Sequence, residues 1–172
     1  YFENAGTVSP NEKSKVLVQG HSQMCRALQT GLEITAEMDE SLYNAAKKFL
    51  ENAETCYEKA GFYEAKEYAK ATRLLFDAYW IIGLAKGERD SRKKATLCFA
   101  AEKVLDDSAG SFNHARHFEK REQVVELRDR VGKMRELATS LTPLLSASRI
   151  ASTRTVFSVP TPTYEEPVGL ER

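Results

Sequence analysis

Between Pro10 and Pro143 the chain contains no proline, and apolar residues recur through that stretch at three- and four-residue spacing. A backbone that keeps every N–H donor and carries a 3.6-residue apolar period can be helical almost throughout. The reading is therefore all-α: about five helices in antiparallel helical hairpins, TPR-like or a bundle, followed by an extended Ser/Thr/Pro-rich C-terminal tail.

The local punctuation divides the helices. Ser9, Pro10 and Glu12 have the form of a capping box with proline at the first helical position, so helix 1 starts there. Its apolar line is Leu17, Met24, Leu28 and Leu32, and Asp39 or Ser41 caps helix 2. Leu42, Ala46, Phe49, Ala53, Cys56 and Ala60 form one stripe of helix 2, which Gly61 stops. Helix 3 follows from about Phe62, burying Ala65, Tyr68, Ala71, Leu75, Ala78, Ile82 and Ala85, and closes at Gly87. The very short turn at Gly61 makes helices 2 and 3 an antiparallel hairpin.

After a polar loop at residues 88–90, Ala95, Cys98, Ala101 and Leu105 form the stripe of helix 4, expected to end at Ser108, Ala109 and Gly110. Ser111 then caps a long last helix. Along it Val124, Leu127, Val131, Met134, Ala138, Leu141 and Leu145 alternate by three and four, the pattern of a helix packed lengthwise on a neighbour. Pro143 is expected to kink its end. From Ser146 the composition turns to Ser, Thr, Pro and Val, and Pro160 and Pro162 exclude helix. The domain division is thus a helical repeat-like domain over 1–147 and an extended tail or linker over 148–172.

A chain of 172 residues, 42% hydrophobic and 29% charged, fits one domain with an adequate core. No apolar run approaches the roughly 20 residues of a membrane span. The ends carry neither an initiator Met nor a signal-peptide pattern, so the chain is read as a piece of something longer. Three cysteines, Cys25, Cys56 and Cys98, are odd in number and sit on apolar faces, which suits buried thiols in a reducing, cytoplasmic compartment. The formal charge is zero but divides as −3 over residues 1–85, +5 over 86–154 and −2 over 155–172. The middle section interleaves its signs, the mark of a solvated helix surface rather than a nucleic-acid footprint.

The string Cys56, Tyr57, Glu58, Lys59, Ala60, Gly61, Phe62, Tyr63, Glu64, Ala65, Lys66, Glu67, Tyr68, Ala69, Lys70, Ala71 resembles the middle of a tetratricopeptide repeat. Gly61 and Ala65 match that family in type, with the spacing one residue short. Trp80, Gly83, Ala95 and Phe99 give a second partial match, and no clean period of about 34 residues is present. The resemblance implies helix-hairpin stacking in a protein-interaction or spacer module and carries over no binding residue. Ala101, Glu102, Lys103 and the string from Pro160 to Glu166 are also similar to helical segments preceding β-rich modules in long prokaryotic multidomain signalling proteins.

The search for chemistry returns little. His114 and His117 are a turn apart but lack the further ligands of a metal site, and His21 with Cys25 are spaced as base and nucleophile without a third group. Asp106 with Asp107 and Glu165 with Glu166 are adjacent carboxylates, which do not face each other on a helix. No phosphate-binding glycine loop is present. The expectation is no catalytic, cofactor or metal residues, and no enzyme. Arg149 ahead of Ser152 and Thr161 ahead of Pro162 have the form of phosphorylation sites.

What remains is interaction. Tyr63 and Trp80 sit beside the buried stripe of helix 3 and are the candidate groove for a protein or peptide partner. Val124, Leu127, Val131, Met134 and Leu141 are the candidate seam for self-association. The functional expectation is a non-enzymatic helical scaffold or protein–protein interaction module within a larger multidomain protein. The alternative is a signal-transmitting or dimerising helical linker between sensor and output domains.

Overall fold

The computed structural model describes residues 9–34 and 38–152, with side chains described over 9–33 and 38–140. The described residues form five helices: α1 (Pro10–Ile34), α2 (Glu40–Ala60), α3 (Tyr63–Gly87), α4 (Ser91–His114) and α5 (Phe118–Ser152). The fold is all-α. Among the described residues, extensive packing runs only between consecutive helices, α1 on α2, α2 on α3, α3 on α4 and α4 on α5.

The caps explain the starts. Ser9 Oγ accepts from the Glu12 N–H at 3.3 Å. Asp39 accepts from the N–H groups of Ser41 and Leu42 at 2.7 and 3.2 Å, and Asp90 does the same for Arg92 and Lys93 at 2.8 and 3.1 Å. Each satisfies donors that a helix start leaves unpaired.

Two hairpin turns share one geometry. At the end of α2, Gly61 stands at φ 78°, its N–H bonded to the Glu58 carbonyl while the Phe62 N–H bonds to that of Tyr57. At the end of α4, Arg116 stands at φ 58°, its N–H bonded to the Asn113 carbonyl while the His117 N–H bonds to that of Phe112. Both are Schellman closures, with the left-handed residue one place past the end of α2 and two places past the end of α4.

Here the structure departs from the sequence reading. α4 does not stop at Ser108–Gly110, and Ser111 caps nothing: Ser108, Ala109, Ser111 and Phe112 are buried inside the helix. Ser108 Oγ donates to the Ala71 carbonyl at 2.8 Å, so packing on α3 overrides the weak helix propensity of Ser and Gly. α5 passes through Pro143 and ends at Ser152, beyond the expected boundary at 147. The remainder of the expected tail lies outside the described residues.

The core is two clusters that share α3. One joins Met24 and Ala27 of α1 to Leu50, Ala53 and Tyr57 of α2 and Ala69 of α3. The other joins Ala71, Ala78, Ile82 and Ala85 of α3 to Cys98, Ala101, Leu105 and Phe112 of α4 and Val124 and Val131 of α5. Tyr68 packs against both. Ala69 and Ala71 are about 200° apart around a helix, which is how one helix serves two neighbours.

A register underlies this arrangement. The buried α2 residues Ala46, Leu50, Ala53, Cys56, Tyr57 and Ala60 find counterparts in the buried Ala101, Leu105, Ser108, Ser111, Phe112 and Ala115, at a constant offset of about 55 residues. The same offset carries Ala69 to Val124, Phe76 to Val131 and Gly61 to Arg116. The two hairpins are thus one structural unit laid down twice.

Candidate interaction surface

The two aromatic residues expected to line one groove are apart. Tyr63 opens α3 and Trp80 lies seventeen residues on, about 25 Å along the axis. Trp80 is engaged: its ring stacks on Tyr43 of α2, centroids 4.7 Å apart and planes at 12°. Asp77, one turn before Trp80, accepts from the Tyr43 hydroxyl and pairs with Lys47 at 3.1 Å. Burial first, and then the bond to Asp77, hold the Tyr43 hydroxyl well above the usual tyrosine range. The cluster is a clamp between α2 and α3 rather than an open groove.

Tyr63 is open, with 70% of its surface exposed. It belongs to a different grouping, at the end of the stack where the two Schellman turns lie side by side. Arg116 Nε is 3.2 Å from Glu64, and the His117 and Tyr68 rings have centroids 4.5 Å apart. Each turn leads into a helix whose first residue is an exposed aromatic: Tyr63 in α3, and Phe118 in α5 at 57% exposure. Phe62 adds a third ring. Exposed aromatics gathered at one place rather than scattered singly mark a surface suited to contact. Sequence reasoning found Tyr63 but missed Phe118, because it placed Phe118 in the body of a helix begun at Ser111.

The ionisable residues here are arranged for holding the turns together. Glu67 Oε2 is buried with no hydrogen-bond partner among the described residues, with Lys70 Nζ at 3.8 Å and the exposed His114 at 4.0 Å. His114 ends α4 and His117 lies in the turn beyond it, so the two do not share a helical turn. Among the described residues no group of three or more His, Cys, Asp or Glu is placed to hold a metal ion.

The other sequence candidates are turned to different uses. Val124 and Val131 of the expected α5 seam are buried, and Leu127 and Met134 pack against the same core. The alternation that suggested self-association is satisfied by α4 of the same chain. Leu141 lies outside the residues whose side chains are described. His21 contributes Nδ1 to a 3.0 Å hydrogen bond with the Tyr57 hydroxyl. Cys56 and Cys98 are buried as expected, whereas Cys25 is exposed.

No helix among the described residues is long and apolar enough to cross a membrane. No protein-family model, curated protein or solved structure matches this chain.

Proposed function

We propose that this chain is a non-enzymatic helical scaffold, of the hairpin-stacking kind that the tetratricopeptide resemblance suggests, presenting its turn end to a protein or peptide partner. The observation that carries the reading is the pairing of two equivalent hairpin turns, each delivering an exposed aromatic, Tyr63 and Phe118, onto one end of the array. Rigid repeats that contact only their neighbours suit such a use, because the surface they present is fixed by the stack beneath it. The offset of about 55 residues departs from the tetratricopeptide period of about 34, so the kinship proposed is one of architecture. A dimerising linker working through α5 draws no support from Val124 and Val131, which are covered within the chain.

A displayed-peptide selection on the whole chain, with the Tyr63→Ala/Phe118→Ala double variant as counter-target, tests the proposal. A saturable ligand that the double variant loses, at unchanged melting temperature, supports it. Ligands that bind both forms equally, or a selection that enriches nothing, remove it.

A further inference from the structure

One end of the array is charged in a way that its fold does not require. The stretch 86–94, which closes α3 and opens α4, holds Lys86, Arg89, Arg92, Lys93 and Lys94 against two acids, Glu88 and Asp90. Both acids are turned to the backbone. Glu88 accepts from the Asp90 N–H at 2.8 Å, and Asp90 caps α4 through the Arg92 and Lys93 N–H groups. Those two bonds first, and the Lys93 and Arg92 charges less, hold the Asp90 carboxyl below the usual carboxylate range. Lys86, Arg89, Arg92 and Lys93 are exposed and Lys94 is half-buried. Among the described residues none of the five cations is held in an ion pair.

The hairpin itself is built elsewhere without such cations. The offset of about 55 residues carries Arg92, Lys93 and Lys94 to Glu37, Met38 and Asp39, and the stretch 31–40 holds Glu33, Glu37, Asp39 and Glu40 with no Lys or Arg. The helix starts agree. α1, α2, α3 and α5 each carry a glutamate in the first turn, as the positive end of a helix dipole favours, whereas α4 carries none. Arg92, Lys93 and Lys94 stand where that dipole repels them. A cation cluster that opposes its own helix and has no ion-pair partner among the described residues is matched to an anion supplied from outside.

We propose that this tip is a second docking surface, taking an acidic, Glu- or Asp-rich segment of a protein partner. Arg89 and Arg92 present planar forks whose N–H donors suit carboxylates two at a time. Two features favour a peptide over a nucleic acid. The stretch 86–94 contains no aromatic ring on which a base could stack. Arg92, Lys93 and Lys94 follow one another at about 100° around the α4 axis, so they ring a tip instead of lining a track for a phosphate backbone. The tip lies at the other end of α3 from Tyr63, about 37 Å away along a 25-residue helix. A partner on one surface therefore leaves the other open.

Fluorescence anisotropy of a labelled hexaglutamate peptide against the whole chain, at about 50 mM and about 200 mM salt, tests this. The expected result is saturable binding that weakens at least about fivefold at the higher salt. Arg89→Gln/Arg92→Gln/Lys93→Gln should weaken it at least about tenfold, while the thermal melt holds or rises because the α4 dipole is relieved of Arg92 and Lys93. Lys13→Gln/Lys15→Gln/Arg26→Gln removes three exposed cations of α1 with the same change in net charge and should bind like the parent chain. Absence of saturable binding, equal loss in both triple variants, or tighter binding of a short oligonucleotide or of anionic vesicles would each overturn the proposal. So would a mass that doubles at low salt and returns to one chain in the Arg89→Gln/Arg92→Gln/Lys93→Gln variant, since the anion would then belong to a second copy. Tyr63→Ala/Phe118→Ala should leave peptide binding unchanged, so failure at this tip is told apart from failure of the turn-end reading.

Discussion

Gly61 and Arg116 hold the same left-handed position in two equivalent turns, at φ 78° and 58°, one filled by the residue that favours it and the other by one that does not. A side chain in this conformation costs roughly 1 kcal/mol. Gly61→Ala is expected to lower the unfolding free energy by about 1 kcal/mol, although nothing lies within 4 Å of the added methyl. Arg116→Gly is expected to raise it by up to about 1 kcal/mol. The exposed Glu64 pair that this change removes contributes little, since surface ion pairs are typically worth about 0–1 kcal/mol. Urea titration of both variants reads the opposite signs directly.

Gly110 makes the complementary case. It lies inside α4, and a Cβ there meets nothing within 4 Å. Gly110→Ala should therefore stabilise by up to about 1 kcal/mol through helix propensity. At Gly20 the same change goes the other way, because the added carbon meets the Tyr57 ring at 2.9 Å and Cys56 Cβ at 3.2 Å. Thermal melts of the two variants should move in opposite directions.

The register makes Leu50 and Leu105 equivalent, and both are fully buried. Truncating either to Ala should cost about 2–5 kcal/mol from lost burial and a residual cavity. Denaturant midpoints should place the two penalties close together. A large cost at one site and a small one at the other would show the two hairpins to be packed to different standards.

Alkaline stability follows from Tyr43. Its pKa is raised in the folded state by burial and by the bond to Asp77, so the folded chain holds a proton that the unfolded chain gives up near pH 10. The unfolded state then binds fewer protons, and the unfolding free energy falls as pH rises above about 10. Tyr57, raised by burial first, adds in the same sense. Tyr43→Phe should flatten the decline without abolishing it, as followed by denaturant unfolding between about pH 9 and pH 11.

The starts of α1, α2 and α4 and the end of α2 were legible because local chemistry decides them: a serine or aspartate that caps, a glycine that turns. The end of α4 was not. Ser108, Gly110 and Ser111 look like a break when weighed by propensity alone, but the Ala71 carbonyl and the surface of α3 hold them in helix. The actual turn is made by Arg116, a residue carrying no turn signal. The stripe of α5 reads as a packing face, and Val124 and Val131 are covered within the same chain, since periodicity states that a helix is covered and not which chain covers it. Periodicity sets Trp80 beside the buried stripe of α3, yet its use depends on Tyr43, thirty-seven positions away, and that pairing has no local signature.

The sharing of α3 between two cores has a consequence for how the molecule comes apart. A stack held only by neighbours loosens from its ends, where a helix has one companion to lose. α3 has two, and Tyr68 ties its two sides together. Amide exchange under native conditions should accordingly be slowest in α3, with protection falling toward both ends of the array as small openings outpace the global one. The middle of this chain is its clock: the time a molecule has been unfolded is written there last.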